Sequence, residues 1–155
     1  MYVTNSETGE NVFAYISPVA VKDVGAINKS KRFNFNWAKE KGFNIYKLSV
    51  SGVPEPLGLM SLADRYDDLA IEIRLLALAK ENIGTTRKYD RVAGCLIAFA
   101  CKETFIAGYE GFVCLKSKTR LKKHYFNKYG LRPTNLYFVT EGVNSLNLIE
   151  EYYEN

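Results

Sequence analysis

"RKYDRVAGCLIAFACK", residues 87–102, decides how this chain is read. Basic residues Arg87, Lys88 and Arg91 lead through the small pair Ala93 and Gly94 into an apolar segment. Val92, Leu96, Ile97, Phe99 and Ala100 leave no polar stripe, so residues 92–107 are expected to form a buried helix. A basic loop that opens into a buried helix is either an anion cradle at a helix N-terminus or an ordinary entry into the core. The neighbouring elements choose between these readings.

Upstream lie three strand signals. "NIYKLSVSG" (44–52) alternates Tyr46, Leu48 and Val50 on one face, "LGLMSLAD" (57–64) follows the turn "VPEP", and "LAIEIRLLALA" (69–79) follows "RYDD". Short turns make an antiparallel meander the economical arrangement. The third strand is apolar along most of its length, as a central strand covered on both faces would be.

Residues 17–40 read as one or two short helices. Ser17 is placed as an N-cap, Pro18 as the first helical residue, and Trp37, Phe33 and Phe35 are expected to pack on the core. Downstream, "GYEGFVCLKS" (108–117) reads as a strand and "KTRLKKHYFNKYG" (118–130) as a basic helix stopped by Gly130. "NLYFVTEG" (135–142) reads as a strand and "SLNLIEEYYEN" (145–155) as a terminal helix. The expected fold is one mixed α/β (α+β) domain over residues 1–155, a mostly antiparallel sheet flanked by helices.

Charge is uneven. The seven Lys/Arg of residues 116–132 meet no acid, and the four Glu of residues 133–155 meet no base. That asymmetry is a surface able to attract an anion or a solvated helix face. The three cysteines, Cys95, Cys101 and Cys114, have no paired spacing, and His124 is the single histidine. Neither a disulfide framework nor a metal site is expected. "IRLLALA" and "VAGCLIAFA" are too short to cross a bilayer, and "MYVTNSETGENVF" lacks a secretory pattern. A cytoplasmic protein without membrane contact is the expectation.

The strand "AIEIRLLALA", the loop "RKYDRVAG", the buried helix "CLIAFACKETF", the strand "GFVCLKSK" and the helix "LKKHYFNKYG" together resemble the acetyl-CoA-binding half of the GNAT (Gcn5-related N-acetyltransferase) superfamily. The element order over residues 45–140 matches as well; the N-terminal third matches less. The family's phosphate loop reads Gln or Arg, two residues, Gly, one residue, then Gly or Ala. Here Lys88 takes the first position, Arg91 stands where glycine is expected, and Ala93 fits, with Gly94 next.

The resemblance implies acetyl-CoA as co-substrate. Its diphosphate would lie on backbone N–H groups of Val92, Ala93 and Gly94, with charge from Arg87, Lys88 and Arg91. Leu75, Leu76, Ala77 and Leu78 occupy the stretch that carries the acetyl group, where a backbone N–H would bind the thioester oxygen. Glu72, on the face alternate to Leu75, matches the general base of some members, or else pairs with Arg74 or a lysine. The family's proton-donating tyrosine falls on Phe126; Tyr125, one residue earlier, is the candidate if the helix end shifts, ahead of Tyr129.

The implied function is an N-acyltransferase, with acetyl-CoA as donor and a primary amine as acceptor. The acceptor is open among a small molecule, a protein and a charged tRNA. A homodimer is open too. Two alternatives remain: an inactive GNAT-shaped binding module, and a nucleic-acid (tRNA) binder using residues 116–132, where Tyr125, Phe126 and Tyr129 interleave with cations.

Overall fold

A computed structural model describes residues 1–116 and 127–154. The chain begins as a hairpin, β1 (Tyr2–Asn5) and β2 (Asn11–Pro18), followed by α1 (Val21–Ser30) and a 3-10 turn, Trp37–Glu40. The meander then runs β3 (Asn44–Val50), β4 (Gly58–Arg65) and β5 (Ala70–Leu78). A two-residue strand, β6 (Tyr89–Asp90), leads into α2 (Val92–Ile106). Then come β7 (Val113–Lys116), β8 (Arg132–Pro133), β9 (Tyr137–Thr140) and α3 (Gly142–Leu148), which runs on as a π-helical turn, Ile149–Tyr153. The expected meander and buried helix are present. The basic helix expected over 118–130 lies mostly outside the described residues.

The N-terminal hairpin differs from the sequence reading. Pro18 ends β2 rather than starting a helix; α1 begins three residues later, with Ala20 as N-cap. Val12, Ala14 and Ile16 alternate inward on β2, so the strand has a core face of its own.

The nine strands form one sheet in the order β6-β1-β2-β3-β4-β5-β7-β9-β8. All pairings are antiparallel except β5 with β7, joined by the crossover through α2. One face of the sheet is covered by α2, whose Leu96, Ile97 and Cys101 are fully buried, together with Leu148, Ile149 and Tyr152. The other face carries a smaller cluster of Val24, Phe33, Trp37, Ile45, Leu59, Leu75 and Ala77. Phe33 and Trp37 are core residues, as expected, and β5 is covered on both faces. Among the described residues no helix is long and apolar enough to cross a membrane.

Two glycines let α2 lie close. A Cβ at Gly58 would come within 2.9 Å of Leu96 and Val92, and one at Gly94 would come 2.4 Å from the Tyr152 ring. Gly94→Ala is therefore expected to lower stability by about 1–3 kcal/mol, the usual range for overpacking. Urea unfolding of the two proteins measures it.

Candidate functional site

β5 changes partner and geometry midway. Its parallel pairing with β7 covers only Ile71, Glu72 and Ile73. Beyond Ile73, no strand among the described residues pairs with that edge. At the same point β5 carries a bulge: Ser61 of β4 opposes Leu75 and Leu62 opposes Ile73, so Arg74 is an extra residue. From Arg74 to Leu78 that edge of β5 faces a gap in the described strand pairing.

The bulge also sets which backbone groups face the gap. Ala79 N–H is bonded to Leu57 O at 2.9 Å, on the β4 side. Alternation along a strand then turns the N–H and C=O of Leu78 and Leu76 to the open edge. Of the three residues expected to contact a donor there, Leu76 and Leu78 present backbone to the gap. Ala77 turns its backbone to β4 and its side chain into the smaller cluster.

A helix N-terminus closes the far end of the gap. Cys95 N–H is bonded to Arg91 O at 2.9 Å, so the amides of Val92, Ala93 and Gly94 precede the first intrahelical bond of α2. Among the described residues no side chain caps them, and no acid stands in the first turn. A small pocket joins this first turn to the end of β5, lined by Leu78, Arg87, Val92, Ala93, Lys128 and Tyr129 among others. Positive macrodipole, open amides and nearby cations suit an anion.

The expected cations are not all in that pocket. Arg87 lines it, ion-paired with Asp90 and donating to Gly84 O at 3.1 Å. Lys88 instead lines a neighbouring polar pocket with Lys80, Thr85 and Thr86. Arg91 also lines the first pocket; it adopts φ 80, the left-handed conformation of a glycine, and its guanidinium lies over Tyr2 and Tyr152. Gly94 is held against Tyr152, so its side-chain face is closed.

Glu72 lies on β5 just before the bulge, 4% exposed. Alternation predicts it opposite Leu75, but the extra residue at Arg74 returns both to one face, the side of Trp37 and Phe33. Its Oε1 is 3.5 Å from Arg65 Nη1 and its Oε2 3.4 Å from Lys116 Nζ. Oε2 is buried without a hydrogen-bond partner among the described residues. Arg65 also donates to Tyr137 Oη at 2.8 Å and pairs with Asp68 at 2.8 Å. The side-chain hydrogen bond to Tyr137 leads in raising the Arg65 guanidinium above its ordinary value.

Arg74, the alternative partner considered for Glu72, goes elsewhere. Its Nε donates to Glu40 Oε1 at 2.9 Å, Ser61 Oγ donates to the same oxygen at 2.8 Å, and its guanidinium stacks 3.8 Å from the Phe43 centroid. The lysine alternative is met by Lys116, while the sequence reading missed Arg65, Tyr137 and Glu40. Arg65 was within reach of it: the hairpin register pairs Arg65 with Ala70 and Ala63 with Glu72, a diagonal neighbourhood fixed by the "RYDD" turn. Glu40 lies in no pattern that local spacing reveals.

Tyr125, Phe126 and His124 lie outside the described residues. Tyr129 is a core ring, 3% exposed, edge-on to Tyr152 at 5.8 Å. Gly130 follows it at φ 70, consistent with a helix stop. No group of three metal-capable side chains occurs among the described residues.

Comparison with solved structures gives a consistent fold. The chain is similar to the PaiA N-acetyltransferase of Thermoplasma acidophilum in complex with coenzyme A, at TM-score 0.58 and 13% identity, covering 84% of this chain and 98% of that one. It is similar to AtaT complexed with acetyl-methionyl-tRNAfMet, at TM-score 0.57 and 12% identity, covering 89% and 99%. It is also similar to FdhC, a nucleotide-linked sugar GNAT, at TM-score 0.58 and 15% identity, covering 90% and 92%. No family profile and no curated protein matches the sequence.

Proposed function

We propose, from the premise that this chain has the GNAT fold, that it is an N-acyltransferase using acetyl-CoA as donor and a primary amine as acceptor. One observation carries the reading. The pairing of β5 with β7 ends at Ile73, and the β5 edge beyond it, without a strand partner among the described residues, leads through the pocket at Leu78 to the N-terminus of α2. An extended ligand with amide groups can pair with the backbone of Leu76 and Leu78 as a missing strand would, while a terminal diphosphate reaches the amides of Val92, Ala93 and Gly94. Similarity to proteins solved with coenzyme A or acetyl-CoA supports that ligand.

Acetyl-CoA supplies the activated thioester. The chain's own part is orientation and charge. A backbone N–H at that edge stabilises the oxygen that becomes negative when an amine attacks. Holding two reactants in one geometry supplies the larger share of the acceleration. Glu72, on the face opposite α2, takes the ammonium proton as the acceptor enters; Tyr125 returns a proton to the thiolate. Isothermal titration with acetyl-CoA tests the donor. At a ligand concentration a hundredfold above Kd, about 2.7 kcal/mol of stabilisation is expected, raising Tm by about 5 °C or more. The absence of both heat and a thermal shift at millimolar acetyl-CoA would remove the proposal.

A further inference from the structure

Arg91 holds the backbone conformation of a glycine and uses its side chain to join both ends of the chain. Its Nε donates to Tyr2 O at 3.2 Å and its Nη2 to Glu151 O at 2.8 Å. The guanidinium lies 4.0 Å from the Tyr2 centroid and 4.8 Å from that of Tyr152. The same two segments grip the first turn of α2 elsewhere. Cys95 Sγ is 3.5 Å from Tyr2 O and 3.6 Å from Tyr152 O, and the Tyr152 ring covers Gly94. On the other side, β1 pairs with β6, fixing Tyr89 and Asp90 just before Arg91.

We propose that Arg91 is a positioning residue for the donor's diphosphate. Clamped between Tyr2 and Tyr152, it keeps the left-handed turn that sets the amides of Val92 and Ala93 at the pocket beside Leu78. In this role it acts on the diphosphate through the backbone turn, with N–H groups of its Nε and Nη2 given to the two backbone carbonyls. A glycine tolerates that turn but is not held in it, so its loop must be ordered when the ligand binds. This loop reaches it because the chain ends hold it there. The inference rests on the acetyl-CoA reading and names what tunes that site.

The test uses the full chain and two probes. Acetyl-CoA carries the diphosphate; S-acetyl-pantetheine lacks it. Arg91→Gly permits the turn but removes the clamp, and Tyr152→Leu removes one jaw while freeing the guanidinium. Both variants are expected to raise the acetyl-CoA Kd by about tenfold, the effect of misaiming roughly one backbone N–H bonded to phosphate. S-acetyl-pantetheine affinity, read by NMR titration, is expected to stay within about twofold. Wild-type acetyl-CoA affinity in Arg91→Gly overturns the clamp. Equal or tighter binding in Tyr152→Leu does so as well, since a freed arginine would then be acting on phosphate directly. Equal losses for both probes mean general damage and also overturn it. Should Arg91→Gly not fold, Tyr2→Leu makes the same comparison. If wild-type protein binds neither probe, the donor reading fails first and the clamp's role falls with it.

Discussion

Raising the pH from 8 to 11 is expected to unfold the protein through its buried thiols. Burial pushes the Cys95 thiol up to about 11 and the Cys101 thiol up to about 12. In the unfolded chain both ionise near pH 8.5 (about the free value). Above that pH the unfolded state binds fewer protons than the folded state, so stability falls as pH rises. The stability these thiols contribute is complete below about pH 8.5 and is lost toward their folded values. Each costs about 1.4 kcal/mol per pH unit in that window, and the pair about 6 kcal/mol by pH 11. That loss is comparable to the whole stability of an ordinary domain, about 5–15 kcal/mol. Cys114, pushed up to about 11 by burial and then by Glu72, adds to the same slope. Urea midpoints measured under reducing conditions from pH 7.5 to 11 should decline steeply. The double variant Cys95→Ala/Cys101→Ala should start lower, because it leaves cavities, and then decline much less. An unchanged slope in that variant would assign alkaline unfolding to other groups.

The elements legible in the sequence were those whose side chains report their own surroundings. α2 is apolar on all sides because all its sides are covered, and residues 92–107 announced that directly. The meander was readable because "VPEP" and "RYDD" fix two tight connections between strands of ordinary length. β2 was hidden because Phe13 and Tyr15 are apolar yet exposed, which blurs the alternation with Val12, Ala14 and Ile16. Ser17 and Pro18 then imitated a helix start. The bulge at Arg74 was invisible for a different reason. No glycine or proline marks it, and it is held by Glu40 and Phe43, more than thirty residues earlier in the chain. Arg91 was the hardest case. A loop that lacks its glycine reads as a broken motif, yet the left-handed turn is present and its support comes from Tyr2 and Tyr152 at opposite ends of the chain. Local patterns give which residues are apolar; they do not give which distant groups will hold a strained residue in place.

Replacing Glu72 with glutamine is expected to lower acyl transfer by about 10²–10⁴-fold while leaving acetyl-CoA affinity unchanged. Its place supports the reading. Glu72 lies at the penultimate β5 position paired with β7, on the face opposite α2 and so on the other side of the sheet from the proposed diphosphate site. The variant also has a structural cost, because the carboxylate balances Arg65 and Lys116. Breaking a fully buried pair costs about 3–5 kcal/mol. Here the Arg65 and Lys116 side chains are 37% and 29% exposed and can turn to water, so about 1 kcal/mol is expected. The two effects separate in a double variant. Glu72→Gln/Lys116→Met removes both partners of one pair and should recover most of the stability. Catalysis should stay low, because no carboxylate remains to accept the proton. The readout is thiol release from acetyl-CoA against a panel of primary amines, beside urea unfolding of each protein. If transfer returns together with stability, Glu72 is a structural counter-charge and the base lies elsewhere. If Glu72→Gln never lowers transfer, its carboxylate has no part in the chemistry, however well it is placed.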